Sequence, residues 1–210
     1  MQIKYNLGEK GDFIMFKKIA LGLLLGLFIT TSCVGISQAS TNIPSLQERK
    51  TNRMSNNVPH WGKTSINVYI PKDARAASVR RAFEYWQSVT SGKLYFNFVN
   101  KGPADIDVIF LEKVSGVDGP LGECVVKIKN NQITKAEIKL ATKNPKINNY
   151  SNNYIYTTMV HEIGHALGLK DRPGKPSSIM HMPITESQDI KKMDVKDLFM
   201  LYDWSLLDRR

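Results

Sequence analysis

The sequence predicts one domain of the α/β or α+β class, built around a single mixed sheet. Two observations carry this prediction. The residue patterns run in the order strand, helix, several strands, helix, loop and helix. The 210 residues suffice for one well-cored domain, and a composition of 42% hydrophobic and 23% charged residues excludes wholesale disorder.

The first half of the pattern begins with a strand. Residues 65–70, "SINVYI", alternate between polar and apolar side chains and are rich in β-branched residues. Residues 74–92 then predict a helix that stops at Gly92, with apolar side chains at helical spacing: Val79, Ala82, Phe83 and Trp86. Further strands are predicted at 94–99, 106–111, 124–129 and 136–141, the last two joined by the turn "NNQ".

Two helices close the pattern. Residues 152–169 predict a long helix with one apolar stripe: Ile155, Met159, Ile163 and Leu167. A final helix is predicted to start near Asp194 as N-cap, with Asp197 three residues later. Its inward-facing residues would be Val195, Leu198, Leu201 and Tyr202.

Residues 1–39 are predicted to be an export signal. Lys17 and Lys18 precede an apolar run at 19–31, which is shorter than the roughly 20 apolar residues of a membrane span. Small residues at Ser37 and Ala39 suit a signal-peptidase site. Because signal peptides run to about 30 residues, Met15 is a better candidate initiator than Met1.

The segments after this signal define the mature chain. We expect residues 40–58 to be a linker or short pro-segment and residues 59–210 to form the functional domain, secreted from the cell. Cys33 keeps open a lipid-anchored alternative. With cleavage after Ala39, Cys124 would be the sole cysteine of the mature chain, and we predict a buried free thiol.

The formal net charge of +10 is spread over single and paired basic residues. No basic run is interleaved with aromatic residues, so we expect no nucleic-acid partner. An anionic cell wall or membrane surface is a candidate neighbour for such a chain. We expect a monomer.

The segment "HEIGHALGLKD", residues 161–171, carries candidate chemistry. On a helix, His161 and His165 lie one turn apart on one face, a spacing at which two imidazoles can bind one zinc ion. Glu162 is offset by one residue and can take a proton from a water at the open coordination position. The alternative is a helix that contains these residues by chance.

A catalytic zinc needs a third protein ligand, which the helix alone cannot supply. Gly168 occupies the place where the chain must leave the helix with a positive φ. Three residues later, Asp171 offers a carboxylate oxygen. The alternative for Asp171 is an ordinary surface-turn aspartate before Arg172.

"HEIGHALGLKD" followed by "SSIMHMP" resembles the metzincin metallopeptidases, in which an extended zinc motif precedes a methionine turn. Met180 matches the methionine beneath the zinc, and Asp171 is similar to the third ligand of the snapalysin branch. Upstream, Trp61 and then "INVYI", "RAFEYW", "LYFNF" and "ADIDVIF" follow the order of matrixin catalytic domains. The resemblance covers about residues 59–205.

The resemblance implies a metzincin-like zincin domain: a twisted, mostly parallel sheet with one antiparallel edge strand, two long helices, a Met-turn and a C-terminal helix. It implies a secreted zinc-dependent endopeptidase acting on polypeptides, with His161, His165 and Asp171 as metal ligands and Glu162 as general base. The alternative is a non-catalytic cell-surface binding protein on the same scaffold.

Other features of the family transfer only in part. Asp118 has a faint likeness to a calcium contact, which makes Ca²⁺ a weak candidate cofactor. The tyrosine that astacins add to the zinc is replaced here by Met182. For His181 we favour packing or hydrogen bonding beneath the site, and strand 124–129 is either a substrate-binding edge or an ordinary strand.

Overall fold

The computed structural model describes residues 58–114, 121–141 and 151–204, together with the backbone of residues 4–7. The apolar run of the predicted export signal, Cys33, nearly all of the linker and Asp118 lie outside the described residues.

Within the described residues, seven strands form one sheet and three helices accompany it. The strands are β1 Lys4–Leu7, β2 His60–Trp61, β3 Ser65–Tyr69, β4 Tyr95–Val99, β5 Ile106–Leu111, β6 Gly122–Lys129 and β7 Gln132–Ala141. The helices are α1 Ala76–Val89, α2 Asn152–Ala166 and α3 Lys192–Leu201.

The sheet is mixed, as predicted. Its order is β1-β6-β7-β5-β3-β4, with β2 pairing β7 off this path. The pairs among β3, β4, β5 and β7 are parallel, whereas β6 is antiparallel to β7. Asn130 and Asn131 join β6 to β7 with φ of 50° and 60°, the left-handed conformation that a two-residue hairpin turn requires.

Among the described residues, the outer side of β6 is paired only with a strand from the predicted export signal. β1 runs parallel to β6 along Val125–Ile128, and cleavage after Ala39 would remove β1 and leave β6 as the antiparallel edge strand that the sequence predicts. A free strand edge exposes unpaired N–H and C=O groups, which readily accept another strand. β1 does not reach Gly122, Glu123 or Cys124.

The helices bury the predicted apolar side chains. In α1 the four residues picked out by their spacing are all buried: Val79, Ala82, Phe83 and Trp86. Met159, Ile163 and Leu167 of the α2 stripe are buried, and Ile155 packs against the core while half-buried. Each large apolar side chain removed from water contributes about 1.5–3 kcal/mol. α1 packs against α2, and α2 packs against β6 and β7.

The start of α3 corrects one prediction. The N-cap is Lys191 rather than Asp194, and Asp194 is the third residue of the helix. Its carboxylate accepts the Lys191 backbone N–H at 2.8 Å, and the side chain is 1% exposed. Val195 and Leu198 are buried as predicted, whereas Leu201 and Tyr202 are half-buried.

None of the described helices combines the length and apolar character that a membrane crossing requires.

Candidate active site

Helix α2 carries the zinc-motif residues and has defined ends. The Ser151 hydroxyl caps its start by accepting the Tyr154 N–H at 3.1 Å. At the other end Gly168 has φ +98°, as predicted. Gly168 N–H donates to the His165 carbonyl at 2.9 Å and Leu169 N–H to the Gly164 carbonyl at 3.0 Å, the pair of bonds that defines a Schellman ending.

Two aromatic side chains satisfy the last carbonyls of α2. Trp61 Nε1 donates to the Ala166 carbonyl at 2.8 Å, and the Tyr202 hydroxyl donates to the Leu167 carbonyl at 3.1 Å. Helix ends leave such carbonyls without intrahelical partners, and burying them unpaired is costly. These two residues therefore hold the point at which the chain leaves the helix toward Asp171.

The two imidazoles are oriented by their Nδ1 atoms. His161 Nδ1 donates to the Ile179 carbonyl at 2.7 Å, and His165 Nδ1 donates to the Leu169 carbonyl at 2.8 Å. A carbonyl can only accept, so Nδ1 carries the proton of the neutral ring and Nε2 keeps its lone pair. This arrangement is typical of metal-ligating histidines.

Asp171 lies opposite both Nε2 atoms. Its Oδ1 is 3.4 Å from His161 Nε2 and 3.2 Å from His165 Nε2. Bond lengths of about 2.0–2.2 Å at tetrahedral angles would place neighbouring zinc ligand atoms roughly 3.3–3.6 Å apart. His161 Nε2 and Asp171 Oδ1 are buried without a hydrogen-bond partner among the described residues. The three side chains therefore fit a zinc ion.

Burial and mutual charge interactions shift the pKa values of His161, His165 and Asp171. Burial lowers the pKa of His161. For His165 burial is the largest single influence and acts in the same direction, but the Asp171 and Glu162 carboxylates and the Leu169 carbonyl together outweigh it and raise the pKa. Burial would raise the pKa of Asp171, yet the two imidazoles hold it well below its ordinary value. The carboxylate is thus ionised at neutral pH, as a metal ligand must be.

Glu162 is fully buried, and neither carboxylate oxygen has a hydrogen-bond partner among the described residues. Burial raises its pKa to about 8, and the neighbouring His165 and Asp171 act on it in opposite directions. Carboxylates with such pKa values are typical of groups that exchange protons near neutral pH.

The turn at 178–180 lies directly beneath α2. Met180 is 2% exposed, and a Cβ on Gly164 would stand 2.4 Å from its sulfur. Asp194 holds this turn: its carboxylate accepts the Ser178 hydroxyl at 2.5 Å and the Ile179 N–H at 3.3 Å. Because the Ile179 carbonyl accepts from His161, the turn also sets the orientation of that imidazole.

The segment after Asp171 is tied to the same turn. Arg172 N–H donates to the Met180 carbonyl at 2.6 Å, and the Arg172 guanidinium pairs with Asp197 of α3. His181 Nδ1 lies 3.3 Å from the Arg172 carbonyl, the hydrogen-bonding role that we favoured for it. The buried Gln188, which the sequence reading missed, donates to the carbonyls of His181 and Pro183.

Sequence reasoning therefore named the residues that the structure brings together but missed those that support them. It passed over Asp194 as a turn anchor, and it passed over two glycines, Gly122 and Gly164. One signal was available for Gly164. A glycine inside a helical pattern costs about 1 kcal/mol against alanine, which indicates a packing or functional reason for its presence.

A mostly parallel sheet with a His-Glu-x-x-His helix behind it and a buried methionine turn below places the molecule in the metzincin class of folds. A family model described as Matrixin matches residues 58–203, and the chain belongs to the matrixin family. Matrixins are zinc metalloendopeptidases, so the family implies a catalytic zinc ion.

Among curated proteins, interstitial collagenase of Oryctolagus cuniculus is 29% identical over 122 residues, which are 53% of this chain and 26% of the relative. Neutrophil collagenase of Homo sapiens is 28% identical over 134 residues, 59% of this chain and 28% of the relative. The chain thus matches little more than a quarter of the length of these collagenases.

Proposed function

We propose that this protein is an exported zinc-dependent endopeptidase. In this proposal His161, His165 and Asp171 hold the metal, and Glu162 is the general base. The observation that carries it is the convergence of ligand atoms from His161, His165 and Asp171, which lie within 4.8 Å of one another. The buried carboxylate of Glu162 belongs to the residue next to His161.

Zinc in such a site acts as a Lewis acid that lowers the pKa of a water molecule and polarises a substrate carbonyl. The chain's own part is to hold and move the proton. Glu162 takes a proton from the attacking water as the water adds to the scissile carbonyl. It then returns the proton to the leaving amine, because cleavage of the C–N bond requires a protonated nitrogen.

Asp171 gives this site an anionic third ligand. With zinc bound, its carboxylate would offset one of the two positive charges of Zn²⁺ and make the metal a somewhat weaker Lewis acid than three neutral imidazoles would. A snapalysin-like ligand set is supported by the 3.2 and 3.4 Å spacings to the two histidines.

The remaining parts of the proposal concern location and substrate. An export signal at 1–39 and a secreted product follow from the sequence pattern alone. N-terminal sequencing of the protein recovered from the culture medium would test cleavage after Ala39. Polypeptides are the substrate class that the family supports.

The central test compares the domain 59–210 with its Glu162→Gln variant. We expect one zinc ion per chain in both proteins and cleavage of casein by the wild type alone. Loss of the base should reduce the rate roughly 10²–10⁴-fold while the ligands stay in place. A wild-type protein that binds no zinc, or a Glu162→Gln variant that cleaves casein at the full rate, would refute the proposal.

A further inference from the structure

The catalytic carboxylate of the proposed mechanism is held in an unusual way. Glu162 is fully buried, and among the described residues the backbone N–H of Cys124 is the donor that reaches its carboxylate, without a close hydrogen bond. A side chain with so little hydrogen bonding takes its position mainly from the shape of the space around it. The atoms that define this space therefore decide where the carboxylate stands.

Gly122, the first residue of β6, forms one wall of that space. A Cβ on Gly122 would lie 2.6 Å from Glu162 Cγ and 2.8 Å from Glu162 Oε1. It would also lie 2.8 Å from the methyl group of Thr158, one helical turn before Glu162. The Thr158 hydroxyl is bound to the Tyr154 carbonyl at 3.0 Å, which keeps the methyl on this side.

The backbone of Gly122 does not itself demand glycine. Among the described residues, the glycines with positive φ are Gly92, Gly168 and Gly174. Gly122 lies in a regular strand, paired with Leu140 of β7. What requires glycine here is the space occupied by Glu162, because an added methyl group and the glutamate side chain cannot share it.

We propose that Gly122 is a positioning residue for Glu162, one whose missing side chain leaves the place in which the carboxylate stands. This inference rests on the proposed role of Glu162 as general base. With alanine at position 122, Glu162 must leave that place, whereas the three metal ligands lie outside the contact and stay where they are.

The first test is the kinetics of Gly122→Ala on a peptide substrate, with zinc content measured on the same samples. We expect kcat to fall roughly 100-fold, since a misplacement near 1 Å has that effect on a catalytic group. KM and zinc content should stay at the wild-type values. The matched control is Gly62→Ala, because a Cβ there meets only the end of the exposed Gln132 side chain.

The second test reads the contact without using activity. Gly122→Ala, Glu162→Ala and the double variant are compared with the wild type by thermal unfolding of the zinc-loaded proteins. If Glu162 is the group displaced, Gly122→Ala should lower the Tm by less than half as much in the Glu162→Ala background. If Gly122→Ala alone does not fold, folding of the double variant supports the same conclusion.

The outcomes separate this inference from the proposed function. A wild type that cleaves peptide, with Gly122→Ala cleaving at the same kcat, overturns the inference and leaves the function standing. A wild type that never cleaves peptide overturns the proposed function. The unfolding comparison then still tests whether Gly122→Ala displaces Glu162. Equal Tm losses in the two backgrounds, or failure of both variants to fold, would show that Gly122 serves the sheet alone.

Discussion

The sulfur of Met180 lies against the backbone of Gly164, so close that a Cβ at that glycine would be 2.4 Å from it. Gly164 stands inside the zinc-motif helix, between His161 and His165. The absence of a side chain lets the methionine turn approach the helix directly beneath the two imidazoles. The same Cβ would also stand 3.2 Å from Cζ2 of the Trp86 ring.

Gly164→Ala should therefore destabilise the protein. Alanine is favoured over glycine in a helix by about 1 kcal/mol, but overpacking of a filled core typically costs about 1–3 kcal/mol. Met180 is 2% exposed and Trp86 is fully buried, so neither can move away cheaply. We expect a net loss in the free energy of unfolding by urea. A variant more stable than the wild type would show that the turn can give way.

Asp171→Asn tests the third ligand at nearly constant size. The amide lacks the negative charge that faces the two Nε2 atoms, so the affinity for zinc should fall. Loss of a residue that only supports a ligand lowers metal affinity about tenfold or more, and loss of a ligand should cost at least as much. Competition with a zinc chelator measures the affinity. Asp105→Asn is the control. It removes the same negative charge at a different place, where Asp105 pairs with Lys63. Equal affinities in both variants would rule Asp171 out as a ligand.

Tyr202→Phe removes the hydroxyl that bonds the Leu167 carbonyl at 3.1 Å. We expect a loss of about 0.5–1.5 kcal/mol in the free energy of unfolding, because the carbonyl at the end of α2 loses its donor. Tyr95→Phe makes the same chemical change on a side chain that is 57% exposed and should leave stability nearly unchanged. If the two variants behave alike, the Tyr202 hydrogen bond contributes nothing to stability.

The raised pKa of Glu162 predicts a pH dependence in the metal-free protein. The unfolded chain ionises this group near its ordinary value of 4.5, whereas the folded chain retains the proton to about 8. The folded state thus binds the extra proton in that window, and stability falls as pH rises through it. Glu162→Gln cannot ionise, so its stability advantage over the wild type should widen from pH 5 to pH 9. Denaturant unfolding along this range measures the gap, and a constant gap would contradict the shift.

The parts of this molecule that the sequence predicts are those coded by local patterns. The alternation in 65–70, the stripe along α2 and the spacing of His161 and His165 each depend on neighbours in the chain. The positive φ of Gly168 follows in the same way from its place after a helix. Strand β2 has only two residues, too short for any pattern to show.

What the sequence left out depends on contacts between distant segments. Gly122 meets Glu162 across 40 positions, and the Asp194 carboxylate meets Ser178 across 16. No periodicity reports such a contact. The misassigned N-cap has the same origin, since Asp194 resembles a capping residue, and its carboxylate is instead used by the turn before the helix.

Three hydrogen bonds converge on the Asp194 carboxylate in helix α3. Formation of the candidate active site therefore depends on this last helix. Both histidines and the glutamate of the zinc motif precede residue 166. The turn at 178–180, whose Ile179 carbonyl orients His161, is held in place only when Lys191–Asp194 has packed against it. A chain still emerging from synthesis, before residue 191 has been made, would carry every residue of the zinc motif. Its turn at 178–180 would nevertheless lack the hydrogen bonds from Asp194 that hold it. Such a dependence delays assembly of the site until the domain is nearly finished.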